Sequence, residues 1–126
     1  MNTAEYVEGV KTRLLTDLLV TAFMIRRERV TAVDAHLRVR LELADGSLLE
    51  FSEYVQHGAS GEIAVVTYSY HWVDAEDKLI LRWDNTPHFP GLANFPHHIH
   101  QGDDNTVAPG QPVDIFSVLD QIAQKH

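Results

Sequence analysis

The chain has 126 residues, 44% of them hydrophobic and 22% charged, enough for one domain with a core and too few for two. It contains no cysteine, so disulfide scaffolds, thiolate metal sites and cysteine nucleophiles are excluded. The formal charge of −8, from 10 Lys+Arg against 18 Asp+Glu, argues against broad attraction to nucleic acid or anionic membranes, while 8 His add titratable, metal-competent nitrogens.

Met1–Glu8 carries no basic region, and the most apolar early stretch, Leu14–Ile25, is short and holds Asp17. A membrane span needs roughly 20 apolar residues, so the expectation is a soluble, cytoplasmic chain with no membrane partner. Asn2 followed by Glu5 reads as a capping box, and Val7, Val10, Leu14 and Leu18 recur at helical spacing. This predicts a helix over Thr3–Leu19. Phe23–Thr31 mixes β-branched and basic residues and reads as a strand. Leu37, Val39, Leu41 and Leu43 then alternate with Arg38, Arg40 and Glu42, the pattern of a strand with one buried face. Asp45-Gly46 is a hairpin signal, with Ser47–Val55 as the returning strand. After a break at His57–Gly61, Ile63–Trp72 and Leu79–Asn85 are two further strands around the polar turn Asp74–Asp77.

From Thr86 to Gln111 the periodicity disappears. The chain's 5 Pro all fall between Pro87 and Pro112, and the expectation is a long irregular segment of the kind that carries function in small domains. Pro112–Lys125, with Ile115, Val118, Leu119 and Ile122 on one face, is a closing amphipathic helix. The predicted fold class is α+β: a single domain over residues 1–126, with a five-stranded antiparallel sheet flanked by an N-terminal and a C-terminal helix on one face (α-β-β-β-β-β-α).

A four-residue turn closed by Val73 and Lys78 sets Tyr68 opposite Trp83, Tyr70 opposite Leu81 and Trp72 opposite Leu79, an aromatic side that belongs to the core. The other side pairs Thr67 with Asp84, Ser69 with Arg82 and His71 with Ile80. His71, Ser69, Arg82 and Asp84 therefore share one face, immediately before His88 and the cluster His97, His98 and His100. The plain alternative is a solvated Arg82–Asp84 pair and histidines that cap turns.

Two chemistries call for such a cluster. One is metal binding: His98 and His100, spaced i, i+2, put both rings on one side of an extended chain, and His88 or Asp84 completes a zinc or other transition-metal site. The other is acid–base chemistry without metal or other cofactor, with imidazoles moving protons and Arg82 stabilising a phosphorane-like anion, as ribonucleolytic cleavage requires. His36, His57 and His126 lie outside the cluster and receive no role.

The blocks Tyr68-Ser69-Tyr70-His71-Trp72, Arg82-Trp83-Asp84-Asn85-Thr86-Pro87-His88 and Phe95-Pro96-His97-His98-Ile99-His100 resemble the signature of the TumE family of small bacterial toxin–antitoxin proteins. The resemblance runs from Leu37 to the C-terminal helix and includes Asp45-Gly46-Ser47-Leu48-Leu49. Family members commonly carry a basic residue between the last two histidines of the third block, where this chain has Ile99. The resemblance implies the toxin half of a two-gene module, with a small DNA-binding antitoxin as partner. Many toxins of this size are endoribonucleases with a helix followed by an antiparallel sheet, an analogy at the level of fold.

The leading functional expectation is a metal-independent endoribonuclease acting on RNA. His71 or His98 is the general base for the ribose 2′-hydroxyl, and His88 or His97 the acid for the leaving oxygen. Arg82 binds the phosphate, and Asp84 orients an imidazole or Arg82. This requires the His88–His100 segment to fold back over the Ser69/Arg82 face. The excess of acid from Gly58 onward, 9 Asp+Glu against 3 Lys+Arg, speaks against it. The second expectation is a metal-dependent hydrolase or nucleotide-modifying enzyme using His88, His98 and His100. The third is a non-catalytic module whose basic stripe, Arg26, Arg27, Arg29, Arg38 and Arg40, meets an acidic antitoxin. Self-association is left open.

Overall fold

A computed structural model describes residues 1–102 and 106–125; His126 and part of the segment predicted to be irregular lie outside the described residues. Helix α1 (Thr3–Thr16) starts at the expected capping box, with Asn2 accepting from the Glu5 backbone N–H and Glu5 accepting in return. It stops one turn earlier than its apolar spacing suggests. The Asp17 carboxylate accepts from the Leu19 N–H at 2.9 Å, a local turn that competes with the helix.

The strands follow as β1 (Val20–Val30), β2 (Asp34–Leu43), β3 (Leu48–His57), β4 (Ile63–Val73), β5 (Leu79–Asp84), β6 (His98–Gln101) and β7 (Thr106–Pro109). They form one antiparallel sheet in sequential order. The sheet thus has seven strands among the described residues, not five. The two additional strands are four residues each, too short and too polar for alternation to reveal. Their existence depends on β6 finding the free edge of β5, and Pro109 is tolerated because β7 is the outer strand. Helix α2 (Ile115–Gln124) closes the chain, capped by Asp114 rather than started by Pro112.

Both helices cover one face. Val10 and Leu14 of α1 and Ile115, Val118, Leu119 and Ile122 of α2 join Leu37, Val39, Leu41, Phe51, Tyr70 and Trp83 in the core. The β4–β5 register differs from the expected one by two residues: Tyr70 pairs with Trp83, His71 with Arg82 and Ser69 with Asp84. Two causes add. Val73 pairs with Leu79 rather than with Lys78, because Asp74 Oδ1 gathers the Glu76 and Lys78 N–H groups into a longer loop. A bulge between Trp72 and Val73 then adds one residue more. A two-residue shift preserves the pleat, so the aromatic face is buried as expected and the polar residues stay opposite it.

Sequence reasoning did not single out Glu53. It points from β3 into the core with 1% exposure, accepting from Tyr6 Oη and Tyr70 Oη at 2.6 Å each and from the Ile115 N–H at 2.7 Å. Burial raises its carboxyl pKa despite these donors. Burial and the same carboxylate push both phenols up. One side chain thereby joins α1, β4 and the start of α2.

A carboxyl with a raised folded-state pKa contributes its full stability below the unfolded value and loses it as pH climbs through the folded value. The stability difference between Glu53→Gln and wild type should therefore widen in favour of the variant as pH rises above 4.5, the ordinary glutamate value. Urea denaturation at several pH values measures this, and a pH-independent difference would contradict it. Glu53→Ala, which orphans three donors and opens a cavity, should cost about 3 kcal/mol or more.

Candidate functional site

The face of the sheet opposite the helices is polar. The carboxylate of Asp84, the last residue of β5, lies buried there at 3% exposure. Oδ1 faces His98 Nε2 at 2.8 Å and accepts from the Thr86 N–H at 3.1 Å. Oδ2 accepts from Arg82 Nε at 3.0 Å and lies 3.7 Å from His100 Nε2. The cross-strand pairs Asp84–His98 and Arg82–His100 account for the arrangement, because β6 lays its two alternate histidines beside the two alternate polar residues of β5.

The second nitrogen of His98 is also engaged. Nδ1 is 2.9 Å from the Pro96 carbonyl oxygen, which can only accept, so Nδ1 carries a proton. Nε2, on the other side of the ring, is the nitrogen that faces the Asp84 carboxylate. Phe89 covers the pair, edge-on to His98 at 4.9 Å and to His100 at 6.0 Å between ring centroids. The histidine segment therefore returns to this face as an added strand beside β5, with Phe89 over the pair.

His71, on β4 beside Arg82, lines a cavity of about 340 Å³ together with Arg38, Glu50, Ser52, Ser69 and Arg82. Its Nδ1 is buried and has no hydrogen-bond partner among the described residues. Buried polar atoms of this kind are rare in folded proteins. Burial, and then the Arg82 charge, lowers the His71 pKa below the ordinary 6.5.

The fold does not bring all the expected residues together. His97 points to the helix-side face, stacked on Tyr68 with its Nδ1 2.8 Å from the phenol oxygen; burial, with the Asp84 charge second, pushes that phenol up to about 12. His88 is exposed in the loop after β5, edge-on to Phe89. The sheet thus separates His97 from His71, Arg82, Asp84 and His98. Arg38 and Glu50, which contact each other at 3.5 Å, were not expected as site residues, although the alternation of β2 already put Arg38 on this side.

The basic stripe belongs to the same face. A bulge between Ile25 and Arg27 changes the phase of β1, so Arg27 and Arg29 join Arg38 and His36 across the pair. Arg26 lines a neighbouring depression with Met24 and Arg40. With Arg82, six of the chain's 10 cationic side chains gather on the open face, where Arg29, Arg38 and Arg82 pair with Asp34, Glu50 and Asp84.

The family model described as Toxin TumE matches residues 10–126. The chain belongs to the TumE toxin family. It is accordingly a toxin of a toxin–antitoxin module, and its partner is an antitoxin. No curated protein and no solved structure matches the chain. Among the described residues, no helix is long and apolar enough to cross a membrane. Ile99, where the third block departs from the resembled pattern, packs against the core beside Trp83. The departure therefore removes no charge from the face that carries Arg82.

Breaking a buried ion pair from one side leaves the other charge uncompensated. Asp84→Ala should destabilise the fold by about 3–5 kcal/mol, and Asp84→Asn, which keeps the side-chain volume and one acceptor oxygen for either Arg82 or the Thr86 N–H, by less. Denaturant melts measure both, and a loss under about 1 kcal/mol for the alanine variant would contradict a buried hub.

Proposed function

We propose that this TumE toxin is an endoribonuclease whose site is the His71–Arg82–Arg38 cavity on the open sheet face. The observation that carries this reading is the convergence of a proton acceptor and two guanidinium groups on one cavity within an arginine-rich face. His71 takes the proton of a ribose 2′-hydroxyl, its lowered pKa keeping the ring neutral near pH 7. The 2′-oxygen then forms a bond to phosphorus while the bond from phosphorus to the 5′-oxygen breaks. The departing oxygen takes a proton from water, giving a 2′,3′-cyclic phosphate and a 5′-hydroxyl.

Arg82 and Arg38 hold the non-bridging oxygens, where charge accumulates in the transition state. Asp84 is a positioning residue: by accepting from Nε it fixes the Arg82 guanidinium and leaves its terminal nitrogens as further donors. Neither His97 nor His88 serves as the acid in this scheme, and His98 is not the base, because both its nitrogens are engaged. The arginines gathered on this face supply cationic groups that the acidic total does not reveal, with Asp34, Glu50 and Asp84 paired among them. A small DNA-binding antitoxin of acidic character would inhibit by covering the same face.

Purified protein incubated with total cellular RNA in EDTA should cleave it. His71→Ala should lower the rate by about 10²–10⁴, and Arg82→Ala by at least about 10². The acid limb of the pH–rate profile should fall below 6.5, the ordinary imidazole value. Arg82→Ala should move it upward, because removing a neighbouring cation makes the imidazolium easier to form. Equal cleavage by wild type and His71→Ala, loss of cleavage in EDTA, or no cleavage by folded wild type would each overturn the reading.

A further inference from the structure

We propose that Asp84, His98 and His100 form a binding site for one divalent transition metal of the zinc class. The site is separate from the proton acceptor of the proposed cleavage and does not depend on that reading. Among the described residues, these three side chains each offer a ligand atom, all within 4.8 Å of one another.

Four features favour a metal over a simple ion pair. First, His98 and His100 alternate on β6, so both rings leave the strand on the same side, and Asp84 stands directly opposite His98 on β5. Second, the Pro96 carbonyl holds the Nδ1 proton of His98. This is the outer hydrogen bond that metal-ligating histidines commonly make, and it leaves Nε2 as the ligating atom. Third, the spacing is close to that of a coordination sphere. Ligands about 2.0–2.1 Å from a tetrahedral metal lie roughly 3.3 Å apart. The separations are 2.8 Å from Asp84 Oδ1 to His98 Nε2 and 3.7 Å from Asp84 Oδ2 to His100 Nε2, and one ligand atom from each residue lies within 4.8 Å of the others, so changes of no more than about 1.5 Å bring the donors around one ion. Fourth, burial is graded: the Asp84 and His98 side chains are 4% and 2% exposed and His100 is 15% exposed. Solvent or a ligand can therefore reach a fourth position on the His100 side.

Two imidazoles and one carboxylate suit Zn²⁺, Co²⁺ or Fe²⁺ rather than Ca²⁺ or Mg²⁺. The metal sits between His98 Nε2 and Asp84 Oδ1, and Oδ2 keeps its contact with Arg82. His88, exposed in the preceding loop, is not a ligand in this assignment.

The test is titration of the untagged, EDTA-treated full-length chain with Co²⁺, followed by visible absorption, and with Zn²⁺, followed by calorimetry. One metal per chain is expected, with the d–d bands of a four- or five-coordinate Co²⁺ centre and a rise in melting temperature with metal concentration. His100→Ala, the most exposed ligand and hence the substitution least harmful to folding, should weaken binding by more than about 100-fold, beyond what removal of an outer partner brings. His88→Ala should bind as wild type does. No one-to-one binding by wild type would overturn the assignment. So would binding undiminished in His100→Ala, or binding abolished in a folded His88→Ala chain.

Discussion

Burying the Asp84 carboxylate at the end of β5 requires partners for both oxygens, and that requirement organises the far half of the open face. An isolated carboxylate at this depth would be protonated or would unfold its surroundings. Here His98, Arg82 and the Thr86 N–H supply donors. Meeting the requirement aligns β6 with β5, because only the pairing of His98 with Asp84 puts the imidazole in reach. It fixes the Arg82 side chain beside His71. It also explains why Phe89 returns over the pair, since excluding water strengthens the interactions beneath it.

The opposite face carries a second buried carboxylate with a different solution. Glu53 has no cationic partner among its contacts; two phenols and a helix N–H surround it. Neutral donors offset desolvation less completely than an ion pair does, and its carboxyl pKa is raised accordingly. Its value is geometric, because its three partners come from three different elements. The sheet is thus fastened to its helices by one carboxylate and to its last strands by the other.

Net charge misleads for this protein. A total of −8 describes the chain, whereas the open face gathers six arginines, three of them paired with Asp34, Glu50 and Asp84. The bulge in β1 is responsible for part of this, since an extra residue changes which side chains share a face. The proposed cleavage chemistry and the proposed metal site occupy adjacent parts of this surface and meet at Arg82, which lines the cavity and holds Asp84.

Much of this was legible along the chain because alternation and capping are local. The two-residue period of Leu37–Leu43 and the aromatic run from Tyr68 to Trp72 determined which face is buried, and a register error of two left that conclusion intact. Asn2 with Glu5 marked the first helix, and the three blocks around His71, Arg82 and His98 marked the family. The tertiary structure alone decided the rest. Strands β6 and β7 are too short to carry a period and exist by pairing with β5. That pairing sends His98 and His100 to the open face and His97 to Tyr68, a division that spacing cannot reveal when the strand itself is not foreseen. The β1 bulge and the burial of Glu53 likewise depend on neighbours remote in sequence. Local pattern records which side of a strand faces the core; which strands meet, and therefore which polar side chains touch, is set by contacts between segments far apart in the chain.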